Sequence, residues 1–276
     1  MKRLLIALAS SLLLAACADS QHGAEPPKAP PAGNDPAAKA GDPPAVPHKG
    51  SSVELPSSDK KALGYLSLPA AGGAPKKAAI LVIQEWWGMN DWIKENADRL
   101  AAQGYVALAV DLYRGADAKD AGTAHELMRG LSEDRAIGDL EAGFNYLATR
   151  PDVDPAKIGA VGWCMGGGYT LALAVNEPRL KAAAMNYGKI VQDPDKISKV
   201  KAALLGNFAG KDKGIAPADV RTFEGAMRGA GKDVDIKIYD PDGHAFMNPN
   251  NKEGYDAAAA QDAWARIDTF FAKKLK

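Results

Sequence analysis

The chain has 276 residues, enough for one or two domains with a sizeable core. Basic and acidic side chains balance at 34 each, so no basic surplus equips it to hold nucleic acid. Histidine occurs four times and cysteine twice, which leaves few ways to build a thiol–imidazole pair. The first segment, "MKRLLIALASSLLLAAC", opens with Lys2 and Arg3 and continues with an apolar run from Leu4 to Leu14. That run is too short to span a bilayer and has the layout of a secretory signal, assigned to residues 1–16.

The end of this segment, "LAAC", resembles the lipobox of bacterial lipoproteins. The resemblance implies that Cys17 becomes the lipid-carrying first residue of the mature chain. Ala18 after it resembles the pattern that favours the outer membrane. The expected location is the bacterial cell envelope, on the periplasmic side, with the membrane engaged through the lipid anchor only. Residues 18–50 are dominated by Pro, Ala and Gly, with Val46 as the single bulky apolar residue. Such a segment cannot bury enough surface to offset its ordering entropy. Residues 17–50 therefore read as a lipidated cysteine and a disordered tether, with His22 and His48 solvated in it.

From Ser51 the composition becomes globular, and residues 51–276 are expected to form one domain. "AAILVI" (78–83) is a continuous apolar run, the pattern of a strand buried on both faces. A helix is predicted over 91–104, with Asn90 or Asp91 as its cap and Gly104 as its stop. "YVALAV" (105–110) is the next strand, and Ile137, Leu140, Phe144 and Leu147 mark one face of a further helix. Strands follow at 157–163, 180–188, 201–208 and 234–240, with helices after Gly166, near 217–229 and through Trp264, Ile267 and Phe271. This alternation predicts an α/β fold with a mostly parallel sheet covered on both faces. No internal repeat is present, and a monomer is expected.

Gly162-Trp163-Cys164-Met165-Gly166 has the form GxCxG between a predicted strand and a predicted helix. That is the spacing of a nucleophile elbow with cysteine in place of serine. A thiol at a helix N-terminus is favoured as an anion by the backbone N–H groups there. The segment is neither a GxGxxG dinucleotide turn nor a phosphate-binding loop, because the acidic partner and the Gly-Lys-Ser/Thr ending are missing. A redox role would need a resolving cysteine, and the domain holds none. The base is expected to be His244, the single histidine downstream of Cys164; His125 reads as a surface residue on a helical pattern. Asp212, flanked by Gly210 and Gly214 after a strand, fits the orienting acid. Asp240 and Asp242 are rivals in the loop of His244, and Asp193 and Asp195 read as solvated.

With "IQEWWGMN" (83–90), "DLYRG" (111–115), "GWCMGGG" (162–168), "GKDKGI" (210–215) and "DGHAF" (242–246), the chain resembles the dienelactone hydrolase family of α/β-hydrolases over about residues 60–275. The resemblance implies an α/β-hydrolase fold and a Cys164–His244–Asp212 triad; acyl transfer by such a triad needs no cofactor or metal. The resemblance also places the family's glutamate on Glu85, where it pairs with the resting thiol and gives way when substrate enters. The backbone N–H groups of Trp86 and Met165 would form the oxyanion hole. Trp87 either walls the pocket or packs in the core, and Arg114 offers a cation near the mouth. Family members acting on dienelactones place a serine after the histidine and an arginine three residues later; here those positions are Ala245 and Asn248.

The reading is a hydrolase of small esters, lactones or thioesters that works through an acyl-enzyme on Cys164. Its partners are small molecules and, through the anchor, a membrane. The alternative is a non-catalytic hydrolase-fold binding protein of the cell envelope.

Overall fold

The structure is a computed structural model, and it describes residues 48–57, 62–72 and 75–276. The signal segment, Cys17, His22 and nearly all of the expected tether lie outside the described residues. The elements run β1 (Ser51–Leu55), β2 (Ala62–Ser67), β3 (Lys77–Ile83), α1 (Asp91–Ala102), β4 (Val106–Asp111), α2 (Ala121–Gly130), α3 (Glu133–Thr149) and β5 (Val153–Trp163). They continue with α4 (Met165–Asn176), β6 (Ala182–Asn186), α5 (Pro194–Lys199), β7 (Ala203–Ala209), α6 (Pro217–Gly229), β8 (Val234–Tyr239) and α7 (Ala257–Leu275).

The strands form one eight-stranded sheet in the order β1-β2-β4-β3-β5-β6-β7-β8. β1 and β2 run antiparallel at one edge, and every pairing from β4 onward to β8 is parallel. Parallel strands need helical crossovers, and these cover both faces. Alternate residues of β3 serve two cores. Leu81 and Ile83 pack with Leu140, Phe144, Leu171 and Phe223 of α3, α4 and α6. Ile80 and Val82 pack with Ile93, Leu100, Ile267 and Phe271 of α1 and α7. This two-sided burial is why the central strands read as unbroken apolar runs.

Three features depart from the sequence reading. β1 and β2 were not expected: both are short, and β1 exposes Ser51, Ser52 and Glu54, so it carries no clear apolar alternation. Pro194–Lys199, read as a solvated stretch, forms the short helix α5 capped by the Asp193 side chain. His48, read as a solvated tether residue, is docked instead. Its Nε2 lies 3.0 Å from Asp91 Oδ1, and its ring meets Tyr65 edge-on at 5.9 Å. Lys49 N–H donates to Asp98 Oδ2 at 3.0 Å, so the chain is tied to α1 before β1 begins.

Candidate active site

β5 ends at Trp163, and Cys164 turns the chain into α4 with φ 53° and ψ −118°. That backbone conformation is strained for any residue with a side chain. The surrounding packing enforces it. A Cβ on Gly162 would lie 2.3 Å from the Gly166 carbonyl oxygen, and one on Gly166 would lie 2.2 Å from that of Ile83. The start of α4 thus presses against the ends of both β3 and β5. Cys164 N–H donates to the Asn186 carbonyl at 3.0 Å. The buried Asn186 amide donates to the Gly162 carbonyl at 3.0 Å and accepts from Asn207 at 2.9 Å. The tips of β6 and β7 therefore hold the turn in place.

His244 arrives on the loop after β8. Its Nδ1 lies 2.6 Å from Asp212 Oδ2, on the loop after β7. Asp212 Oδ1 accepts from the N–H groups of Gly214 (2.8 Å) and Ile215 (3.1 Å). Burial pushes Asp212 up, but the His244 and backbone donors outweigh it and hold its carboxyl below the usual range. Burial pushes His244 down, yet the Asp212 carboxylate and the Cys164 sulfur overcome this and raise it to about 10. With Nδ1 committed to Asp212, Nε2 is the nitrogen left for the thiol. The loop carrying the ring is itself locked. Asn251 Nδ2 donates to the His244 carbonyl at 3.1 Å, which steadies Ala245 at φ 59°.

Glu85 follows β3 and is 2 % exposed. Its Oε2 accepts from Asn248 Nδ2 at 2.6 Å. Its Oε1 is buried without a hydrogen-bond partner. Burial pushes the carboxyl up to about 7, against the lowering effect of Asn248, His244 and Tyr187. The resemblance implied a Glu85–thiol pair; here the engaged Glu85 oxygen accepts from Asn248, and it is His244 whose basicity Cys164 raises. Trp86 and Trp87 meet edge-on at 5.0 Å in the turn after Glu85. The Tyr113 hydroxyl donates to the Trp86 carbonyl at 3.0 Å and contacts Met165 Sδ at 3.5 Å. One side chain thereby touches both residues expected at the oxyanion hole.

These groups surround a cleft of about 630 Å³. Glu85, Trp86, Trp87, Cys164, His244, Ala245 and Asn248 line it together with Lys119 and Lys252. Positive φ at residues other than glycine occurs, among the described residues, at Arg114, Cys164, Tyr187 and Ala245. Two of those four line the cleft, and the Tyr187 ring packs on His244 at 5.3 Å. Strained backbone thus gathers at the candidate site.

Residues 63–275 match the Dienelactone hydrolase family. The chain belongs to the dienelactone hydrolase family. It is a dienelactone hydrolase-like hydrolase, and its relatives agree along most of their length. A provisionally named carboxymethylenebutenolidase of Methylorubrum extorquens is 34 % identical over 235 residues, 79 % of each chain. Protein usf of Aquifex pyrophilus is 31 % identical, over 82 % of this chain and 99 % of its own. The crystal structure of a provisionally assigned dienelactone hydrolase from Klebsiella pneumoniae superposes with a TM-score of 0.74 at 28 % identity, covering 81 % of this chain and 98 % of that one.

Within this dienelactone hydrolase family member, not every residue singled out in the sequence reaches the cleft. Arg114 is spent on Asp139: Nε and Nη2 donate to its two oxygens at 3.0 and 2.6 Å, away from the cleft lining. His125 is exposed on α2, and Asp240 is exposed as well. Asp242 is buried, but its backbone closes the turn: its N–H donates to Tyr239 and its carbonyl accepts from Lys211. Three residues of the site were not singled out for a role there. Tyr113 and Tyr187 sit just past the ends of β4 and β6, where open parallel sheets gather their sites. That position was the available signal. Asn248 was noted only as a departure from the family pattern, because its contact with Glu85 joins positions far apart in the chain.

Proposed function

We infer that this protein hydrolyses small, uncharged esters, lactones or thioesters by covalent catalysis at Cys164. The observation that carries the reading is the His244–Asp212 contact of 2.6 Å beside a cysteine held at a strained strand–helix turn. His244, made more basic by Asp212 and by Cys164, holds the proton shared with Cys164 as Sγ adds to the substrate carbonyl. The developing oxyanion lies towards the Met165 and Trp86 N–H groups. His244, steadied by Asp212, then protonates the leaving alkoxide or thiolate, and a thioester remains on Cys164. Water, deprotonated by His244, cleaves that thioester and restores the thiol.

An uncharged substrate is favoured by what lines the cleft. Ala245 and Asn248 supply no charge, and Arg114 is paired with Asp139. Lys119 and Lys252 stand exposed at the rim, with Lys119 bonded to Asp117. We place the protein in the bacterial envelope, lipid-anchored through Cys17, on the basis of "LAAC" and the proline-rich stretch. Cys17→Ser should abolish lipid labelling and release the chain from membranes; an unlabelled wild type overturns the anchor. For the reaction, the purified protein should cleave p-nitrophenyl acetate or butyrate, and iodoacetamide or Cys164→Ala should stop it. Undiminished turnover in Cys164→Ala overturns the assigned nucleophile.

A further inference from the structure

The two oxygens of Glu85 are unequally served. Oε2 holds the Asn248 amide at 2.6 Å, while Oε1 is buried and unpartnered. The Tyr187 hydroxyl is likewise buried and unpartnered, yet it favours the charged form of Glu85. An unused donor therefore lies close to an unused acceptor, behind the Glu85 wall of the cleft. Buried polar groups left in this state are rare.

Neither neighbour is free to turn away. Tyr187 sits at φ 38°, and its N–H donates to the Asn207 carbonyl at 2.7 Å. Its ring is wedged against His244 at 5.3 Å and Phe246 at 5.5 Å. Asn248 Oδ1 accepts from Asn250 N–H at 2.9 Å, so its NH2 group is the end that reaches Glu85. Its own N–H donates to the Ala245 carbonyl at 3.1 Å, one residue from His244. Both side chains are thus braced against the loop that carries the histidine.

We propose that Tyr187 and Asn248 are positioning residues for the Glu85 carboxyl, Asn248 bound to one oxygen and the Tyr187 hydroxyl available to the other, so that the donors it meets are neutral and no bound cation locks its charge. The titratable groups facing Glu85 are His244 from the loop after β8, Cys164 at the head of α4 and Tyr187 after β6; Lys119, Lys252 and Glu253 stand at the rim of the same cleft. Burial raises Glu85 to about 7, and Asn248, His244 and Tyr187 each pull it down. The charge on the cleft floor then switches in the neutral range, and with it the charge balance around Cys164 and His244.

The activity consequence rests on the hydrolase reading above, but the carboxyl itself can be watched without it. Infrared difference spectra across pH, with the Glu85→Gln protein as the blank, report protonation of this group directly. The wild type should titrate with a midpoint of about 7. Tyr187→Phe keeps the wedged ring and removes one donor, and Asn248→Leu removes the other. Each should raise the midpoint by about half a unit to one unit, and the double variant by about the sum. The pH limb of kcat/KM on a small ester should move in parallel, whereas a merely structural role would lower the rate at every pH and leave the limb where it is. Midpoints in Tyr187→Phe and Asn248→Leu that coincide with the wild type overturn the proposal. If Asn248→Leu does not fold, Tyr187→Phe decides alone. If no ester is hydrolysed, the catalytic reading fails while the infrared titration still decides this one.

Discussion

Two buried carboxylates serve this site from loops after different strands, Glu85 in the cleft wall and Asp212 behind His244, and they are held in opposite ways. Asp212, on the loop after β7, has His244 on one oxygen and two backbone N–H groups on the other. Glu85, in the turn after β3, has one amide and one unpartnered oxygen. Both are less than a tenth exposed, yet Asp212 lies below the usual carboxylate range and Glu85 is pushed up to about 7. Burial taxes both, so the supply of donors decides between them. Asp212 is a permanent charge that orients a histidine. Glu85 is an acid whose charge the surroundings set.

The strongest way to break this comparison is to remove the residue that links its two sides. His244→Ala should lower kcat/KM on a small ester by about 10⁵-fold or more, because the members of such a set act as a unit. His125→Ala, exposed on α2, should leave it unchanged. Comparable losses in the two variants would detach His244 from the chemistry. Asp212→Asn should cost about 10³- to 10⁴-fold by spoiling the tautomer and orientation of His244. Asp242→Asn, whose backbone rather than side chain closes its turn, should cost far less. A reversed ranking on folded proteins would move the orienting role to Asp242.

Stability sharpens the same contrast, with opposite signs for the two acids. The pKa of Glu85 is raised from 4.5 to about 7 on folding. Below the lower value it is protonated in both states and costs nothing. As pH rises between the two, the unfolded chain loses the proton first, and the folded state is penalised up to a plateau. Glu85→Gln should therefore stabilise the protein by about 3 kcal/mol above neutral pH and converge with the wild type in acid. Asp212 is depressed instead, so its contribution is present above the ordinary aspartate range and fades as pH falls through its folded value. His244, raised to about 10, contributes most below its unfolded value and loses that contribution as pH climbs through about 10. Chemical denaturation over a pH series reads all three, and an Asp212→Asn curve that follows that of Glu85→Gln would erase the distinction.

The smallest expected effect tests the loop that joins the two acids. Ala245 stands at φ 59° between His244 and the segment that delivers Asn248. Ala245→Gly should relieve about 1 kcal/mol of backbone strain. It should also loosen the histidine loop, so thermal stability should rise while kcat falls slightly. A fall in stability would mean that the methyl group packs rather than strains.

Much of the fold was legible because its central strands are buried on both faces. Leu81 and Ile83 serve one core and Ile80 and Val82 the other, so β3 reads as an unbroken apolar run. The edge pair β1 and β2 was not legible. An antiparallel edge pair carries only weak patterning, and its register depends on partners elsewhere in the sheet. The elbow was legible for another reason. Its glycines are demanded by backbone contacts within 2.5 Å of a would-be Cβ, and that demand is written into the GxCxG spacing.

By itself, the sequence determined the alternating α/β architecture, the cysteine turn and the order of the chemical residues along the chain. All of these follow from local rules: the period of burial, the turn residues and the spacing between them. Only the tertiary structure decided who partners whom across the cleft. It spent Arg114 on Asp139, sealed Glu85 against Asn248 and wedged Tyr187 beside His244. Such contacts join loops at the ends of different strands, and the distance between them is set by sheet order rather than by chain order. The charge of a buried acid depends on those distant donors, so no local reading of the chain contains it.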